Sequence, residues 1–300
     1  MLVNRTTIST ASLLLLLYPV EHVFSFGTSS VKQCVTKPNL LEILMDESSG
    51  KDAPPSSPGQ RLKNGECILQ LENLASDQEC QYLCIACSDI DASPTVIETK
   101  PGLLRLPTIA AARRASATST PCAEPLPAEV DGLLNRILLR AMLIIDEEIP
   151  SISDALFGGE SLAALLAGGK EGSGCGIGLK YSSREPAINI YSSGGEFLAH
   201  KDAQALTILL PLSCPRRDFA GGGTAFWSQD SRGHRAEDPT VVSKPGAGTA
   251  MLFGGCVTHA GLPVETGTRI VFVASFSGGM SGGAPGALIE EHRDIYGDSM

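Results

Sequence analysis

Tyr191-Ser192-Ser193-Gly194-Gly195-Glu196-Phe197-Leu198-Ala199-His200-Lys201-Asp202 is the stretch that decides how the chain is read. In an extended strand, residues i and i+2 point to the same face. His200 and Asp202 can therefore enter one cavity while Lys201 turns away. With the distant His259 they offer two imidazoles and one carboxylate, a three-point face for a divalent metal that leaves coordination positions open. A His-x-Asp step alone is common, so the weight falls on its surroundings.

Working outward, the residues from Pro186 onward change period. Residues 188–191, 205–212, 224–227, 249–253 and 269–276 are short apolar or alternating runs separated by Gly, Pro, Asp and Ser clusters. That pattern predicts an antiparallel sandwich or barrel. With 32 glycines and only 5% aromatics, the composition suits a strand-rich, turn-rich fold better than a helical bundle. Upstream the period is helical. Ser76 and Glu79 form a capping box, and Cys80, Leu83, Cys84 and Cys87 make one buried stripe on a helix over 77–88. Cysteine packs there as a small hydrophobe, which is preferred to a metal cluster. A long helix is expected over 128–148, with Val130, Leu133, Leu134, Ile137, Leu138 and Ile145 on its apolar face and Pro150 ending it. A short helix is expected within 156–166, and 90–122 is turn-rich without assigned elements. Residues 47–60 are Pro/Ser-rich and read as a linker, with order beginning near Cys67-Ile68-Leu69, a short strand. The fold class is mainly β with flanking helices (α+β).

Three hundred residues at 43% hydrophobic suffice for a large core. The formal charge of −10 carries no footprint for nucleic acid. Arg5 followed by the apolar run 11–20 resembles a signal peptide, too short to span a bilayer, with cleavage expected before Phe26. This predicts the secretory pathway, as endoplasmic reticulum lumen or secreted, with no stable transmembrane segment in the mature chain. Residues 26–41 contain hydroxyls and lysines but no acid, so a bipartite presequence leading to a plastid is the alternative. Nine cysteines leave at least one unpaired within the chain.

At residue level the domain from Pro186 to Phe276 resembles the catalytic domain of the Fe(II)- and 2-oxoglutarate-dependent dioxygenases, in the prolyl 4-hydroxylase-like branch. The resemblance rests on Tyr191 to Asp202 and on Phe219-Ala220-Gly221-Gly222-Gly223-Thr224-Ala225-Phe226. It continues through Pro245-Gly246-Ala247-Gly248-Thr249-Ala250-Met251-Leu252-Phe253 and His259-Ala260-Gly261-Leu262-Pro263-Val264-Glu265-Thr266-Gly267-Thr268-Arg269. These stretches stand in the family's order over about a third of the chain. The resemblance implies a double-stranded β-helix (jelly-roll) core preceded by an N-terminal helical region. The implied division is a signal peptide over 1–25, a linker or transit-like segment over 26–62, and a helical support region over 63–177. The dioxygenase domain then covers 178–278 and a flexible tail 279–300.

The resemblance also implies roles. His200, Asp202 and His259 would ligate Fe(II). Arg269 would bind the distal carboxylate of 2-oxoglutarate, where many prolyl 4-hydroxylases carry Lys; a guanidinium suits bidentate carboxylate binding. Tyr191 and Thr207 are candidates to line the cosubstrate pocket. O2 would be the second cosubstrate and ascorbate the reductant. The implied reaction is hydroxylation of an unactivated C–H, with succinate and CO2 released. The retained carboxylate of Asp202 argues for hydroxylation over halogenation. A protein or peptide substrate, with peptidyl proline leading, stands beside a small-molecule substrate. The reading of another class is a catalytically silent β-helix used for binding, which the complete set of four residues disfavours. His234, in a charged loop, reads as solvated.

Overall fold

The computed structural model describes residues 39–45, 56–91, 98–117, 125–168, 177–228 and 236–280. The expected signal segment, His234 and the tail beyond 280 lie outside them.

The chain enters with β1 (Leu40–Leu44), α1 (Pro58–Asn64) and β2 (Cys67–Leu71). Next come α2 (Asp77–Asp91), β3 (Glu98–Lys100), β4 (Leu103–Pro107) and α3 (Ile109–Ala117). Three helices follow, α4 (Ala128–Glu148), α5 (Pro150–Phe157) and α6 (Leu162–Gly168). The remainder is strand: β5 (Ile177–Tyr181), β6 (Ala187–Tyr191), β7 (Phe197–His200), β8 (Leu206–Pro211), β9 (Phe219–Gly221) and β10 (Thr224–Trp227). It ends with β11 (Val241–Ser243), β12 (Ala250–Gly254), β13 (Thr258–Gly261), β14 (Val264–Gly267) and β15 (Arg269–Met280).

The strands form two main sheets. The larger runs β1-β2-β12-β8-β15-β6-β4-β3, with β5 also paired to β15, and the smaller runs β11-β10-β13-β7. From β6 onward the chain alternates between them. β6, β8, β12 and β15 lie in the large sheet, and β7, β10, β11 and β13 in the small one. All these pairings are antiparallel. That winding is a double-stranded β-helix, or jelly roll.

Strand alternation assigns the faces. Ile188 and Ile190 of β6 and Ile270, Phe272, Ala274 and Phe276 of β15 join a core with Leu134, Ile137, Leu138 and Ala141 of α4. Tyr191, Leu209, Phe226, Met251, Phe253 and Val271 form the second core, between the sheets. Because the large sheet is covered on both faces, its strands read as nearly continuous apolar runs.

The N-terminal half departs from the sequence expectation in three ways. Order begins earlier than Cys67. The apolar run at Leu40 pairs along its whole length with β2, and Arg61 of α1 ties to Glu42 of β1 at 2.7 Å. Pro58 sits in the first turn of α1, where a missing N–H costs nothing, so a proline-rich composition conceals a helix start. The short strand expected at Cys67 forms as β2, but the support region adds a strand the sequence left unassigned, β4. β2 pairs with β12 and β4 with β6, so both widen the large sheet. Finally, Pro150 ends α4 but also opens α5, and Gly158 (φ 65°) stops α5 before α6. The capping box at α2 forms as expected: Glu79 N–H donates to Ser76 Oγ at 3.2 Å and Ser76 N–H to Glu79 Oε2 at 2.8 Å. Cys80, Leu83 and Cys87 are buried, and burial pushes the Cys80 thiol up to about 12. No described helix is long and apolar enough to cross a membrane.

Candidate metal centre and carboxylate anchor

β7 ends at His200, and Asp202 follows in the turn toward β8. His259 lies on β13, in register with His200. Sheet pairing therefore brings together residues fifty-nine positions apart, and the rings stand 4.3 Å from one another. Asp202 Oδ1 is 3.5 Å from His200 Nε2, and Oδ2 is 3.7 Å from His259 Nε2. One donor atom from each of the three lies within 4.8 Å of the others. Among the described residues this is the only group of three or more such side chains.

The protein fixes which nitrogens face the gap. His200 Nδ1 donates to the Leu198 carbonyl at 2.8 Å, and His259 Nδ1 to the Val257 carbonyl at 3.1 Å. A carbonyl only accepts, so each Nδ1 holds the hydrogen and each Nε2 keeps its lone pair for the centre. Phe253 packs 4.5 Å from the His259 ring and Phe197 4.6 Å from the His200 ring. His259 is buried while His200 is half-exposed, so the centre opens on the His200 side.

The electrostatics suit a divalent cation. Burial alone would raise the Asp202 carboxyl, but its neighbours, His259 first, then His200 and the Thr207 hydroxyl, outweigh it and hold it below the usual carboxylate range. Burial pushes His259 down, toward the neutral ring that ligates. Two neutral nitrogens and one anionic oxygen form the donor set of a facial metal site.

Thr207 stands beside the metal centre. Its Oγ1 donates to Asp202 Oδ2 at 2.5 Å, and Ser275 Oγ lies 3.1 Å from Thr207 Oγ1 and 3.5 Å from Asp202 Oδ2. It supports the Asp202 carboxylate. Ser275 N–H in turn donates to the buried Glu185 Oε2 at 2.6 Å.

Arg269 is the first residue of β15, in register with Tyr191 of β6. Only 3% of its surface is exposed. Its Nη2 donates to Thr224 Oγ1 at 2.9 Å, and its guanidinium carbon stands 5.1 Å over the Tyr191 ring. No carboxylate among the described residues pairs with it, and burial pushes its pKa down. A buried cation without a counter-ion is costly, and an anionic ligand offsets that cost. The approach of Gly222 matters here. With φ 55°, it brings backbone so near that an added Cβ would stand 3.2 Å from Arg269 Cδ and 3.0 Å from the Phe219 ring. Tyr191 is buried, its hydroxyl 3.4 Å from Asn189 Nδ2.

Three neighbours escaped the sequence reading. Thr224 was read only as a strand start, although it follows Gly221-Gly222-Gly223 and alternates inward. Arg105 lies in the stretch left unassigned. Its Nε donates to Asn189 Oδ1 at 2.8 Å and its guanidinium stands 5.6 Å over Phe197. Glu185, 3.7 Å from Arg105, carried no motif.

The residues present therefore fit a divalent metal at His200, Asp202 and His259, and a carboxylate-bearing cosubstrate at Arg269. No family model and no curated protein matches the sequence. Among solved structures, the chain is similar to a prolyl-4-hydroxylase of Pseudomonas putida (16% identity, TM-score 0.43, covering 73% of this chain and 96% of that one). It is also similar to the viral collagen prolyl hydroxylase of Paramecium bursaria Chlorella virus-1 (15%, 0.39, covering 72% and 98%). A third is the non-heme alpha-ketoglutarate-dependent epimerase SnoN of nogalamycin biosynthesis (12%, 0.42, covering 73% and 81%). At such identities the functional reading rests on the site's own geometry.

Proposed function

We propose that this protein is an Fe(II)- and 2-oxoglutarate-dependent dioxygenase that hydroxylates an unactivated C–H, with a peptidyl proline as the leading substrate. One observation carries the reading. A His-Asp-His face and a buried guanidinium with no carboxylate partner among the described residues belong to one barrel, which would give metal and dicarboxylate separate anchors. The iron, when bound, would supply oxygen activation coupled to oxidative decarboxylation of 2-oxoglutarate.

The chain's own residues supply the rest. His200 and His259 present Nε2 lone pairs because their Nδ1 hydrogens are engaged by backbone carbonyls. Asp202 contributes charge, and Thr207 holds one of its oxygens in place. Arg269, with Thr224 beside it, would hold the far carboxylate of the cosubstrate by charge-assisted hydrogen bonds. Phe226, Phe253 and Met251 exclude water from the inner side. The Tyr191 ring lies under the Arg269 guanidinium.

The test is succinate formation from 2-oxoglutarate with Fe(II) and ascorbate, with and without Pro-rich peptides. Turnover that is lost in Asp202→Ala and raised by peptide supports the reading. No succinate formation, or undiminished turnover in Asp202→Ala, overturns it, and turnover indifferent to peptide points to a small-molecule substrate. We also propose entry into the secretory pathway; N-terminal sequencing that returned Met1 would refute this.

A further inference from the structure

A second cavity, of about 590 Å³, is lined by Cys214, Pro215, Arg216, Phe219, Gly221 and Lys244, among others. None of its lining residues belongs to the metal centre or to the Arg269 anchor. Phe219 is the shared wall, since its ring lies beside Gly222 and the Arg269 stem on the inner side.

Two cations edge this cavity in a chain whose formal charge is −10. Arg216 is held there by its turn. It adopts φ 68°, its N–H donates to the Phe219 carbonyl at 2.9 Å, and Pro215 bridges to Phe219. A left-handed backbone is uncommon for a long side chain. No carboxylate among the described residues pairs with its guanidinium. Lys244 is also a lining residue, and its Nζ donates to the Gly221 carbonyl at 3.1 Å.

Of the nearby acids, Asp218 is already engaged. It accepts from Arg217 Nε at 2.9 Å and Nη2 at 3.0 Å, and from the Cys214 N–H at 2.6 Å. It is thereby neutralised by Arg217 rather than by Arg216 or Lys244. Glu265 stands behind Gly221 and is not itself a lining residue. The lining therefore carries two exposed positive charges together with the apolar Phe219 and Pro215.

We propose that this cavity is a second ligand site, taking a small organic dianion, a dicarboxylate or a phosphate ester, between Arg216 and Lys244. The pairing of two cations with apolar lining residues suits charged ends on a short carbon skeleton. This inference stands apart from the proposed reaction, because it needs neither the metal nor Arg269.

The test is calorimetric titration of the full chain with inorganic phosphate and, separately, with succinate, in the native protein and in Arg216→Gly/Lys244→Met. Glycine tolerates the left-handed turn, and methionine keeps the Lys244 stem against Gly223, so both changes remove charge while preserving the backbone. The expected result is a saturable event weakened about tenfold or more in the variant, as expected for losing charge-assisted hydrogen bonds. A stronger response to succinate assigns a carboxylate ligand, and one to phosphate a phosphorylated ligand. Succinate that also binds at Arg269 persists in the variant as a second event. Equal affinities in both proteins, or no saturable event with either anion, overturn the proposal.

Discussion

Thr207 donates to Asp202 Oδ2 at 2.5 Å, so a side chain of the large sheet fixes the carboxylate that follows the small sheet's edge strand. The bond leaves Oδ1, on the His200 side, without a hydroxyl donor. Thr207→Val keeps the shape of this fully buried residue and removes the bond. We expect metal affinity to fall about 10–100-fold, the usual effect of losing a support to a ligand. Thr207→Ser should restore most of it. Manganese titration of the three proteins reads the difference directly. Native affinity in Thr207→Val would show that Ser275 alone suffices.

Arg269 sets function against stability. It is 3% exposed and has no carboxylate partner among the described residues. Arg269→Met replaces a buried charge with a flexible apolar chain of similar length. The ligand-free variant should therefore be more stable, by about 1–2 kcal/mol, as found when buried charges yield to hydrophobic residues. It should no longer bind 2-oxoglutarate. Urea unfolding and cosubstrate titration measure the two effects. A less stable variant would mean that the Thr224 bond and the Tyr191 stacking outweigh the desolvation of the guanidinium.

The C-terminal half was legible because its signals are local and periodic. Ile188 to Tyr191 and Arg269 to Phe276 alternate as strands, and His200, Asp202 and His259 carry the donor set in their side-chain types. What escaped needs the third dimension. Thr207 sits in an apolar run, and only the return of β15 brings Ser275 beside it and Asp202 within its reach. β1 lies within the 26–62 stretch expected as a linker or transit-like segment. Its leucines gain order only by pairing with β2, a long-range contact that propensity does not encode. β4 was missed for the same reason, and with it Arg105.

Gly255 carries a prediction of its own. The backbone of the metal loop runs against it so closely that a Cβ would overlap the Gln204 carbonyl oxygen and stand 2.9 Å from that of Asp202. The atoms met are backbone, not the far end of a flexible side chain, so little can yield. Gly255→Ala should displace the loop, cost about 2–4 kcal/mol of stability, and weaken metal binding together with it. Thermal unfolding and metal titration on the same sample check the coupling. A destabilised variant with native metal affinity would separate the loop from the site.

Glu185 makes stability depend on pH. Burial pushes its carboxyl above the ordinary value of 4.5, assisted by the Asp202 charge, although Arg105 and the Ser275 N–H pull the other way. The direction fixes the sign. Between the ordinary value and the raised one, the folded chain holds a proton that the unfolded chain has released. Stability is then highest at and below the ordinary carboxylate value and falls as pH rises toward the folded value. Glu185→Gln can still accept from Ser275 N–H and carries no charge, so it should remove this fall. Arg105 loses a counter-charge 3.7 Å away but keeps its bond to Asn189. Urea unfolding at several values between about pH 4 and 8 gives the two profiles, and their difference reports Glu185 together with its coupling to Asp202. The variant should gain on the native protein as pH rises. Parallel profiles would mean that Arg105 holds the carboxylate ionised throughout.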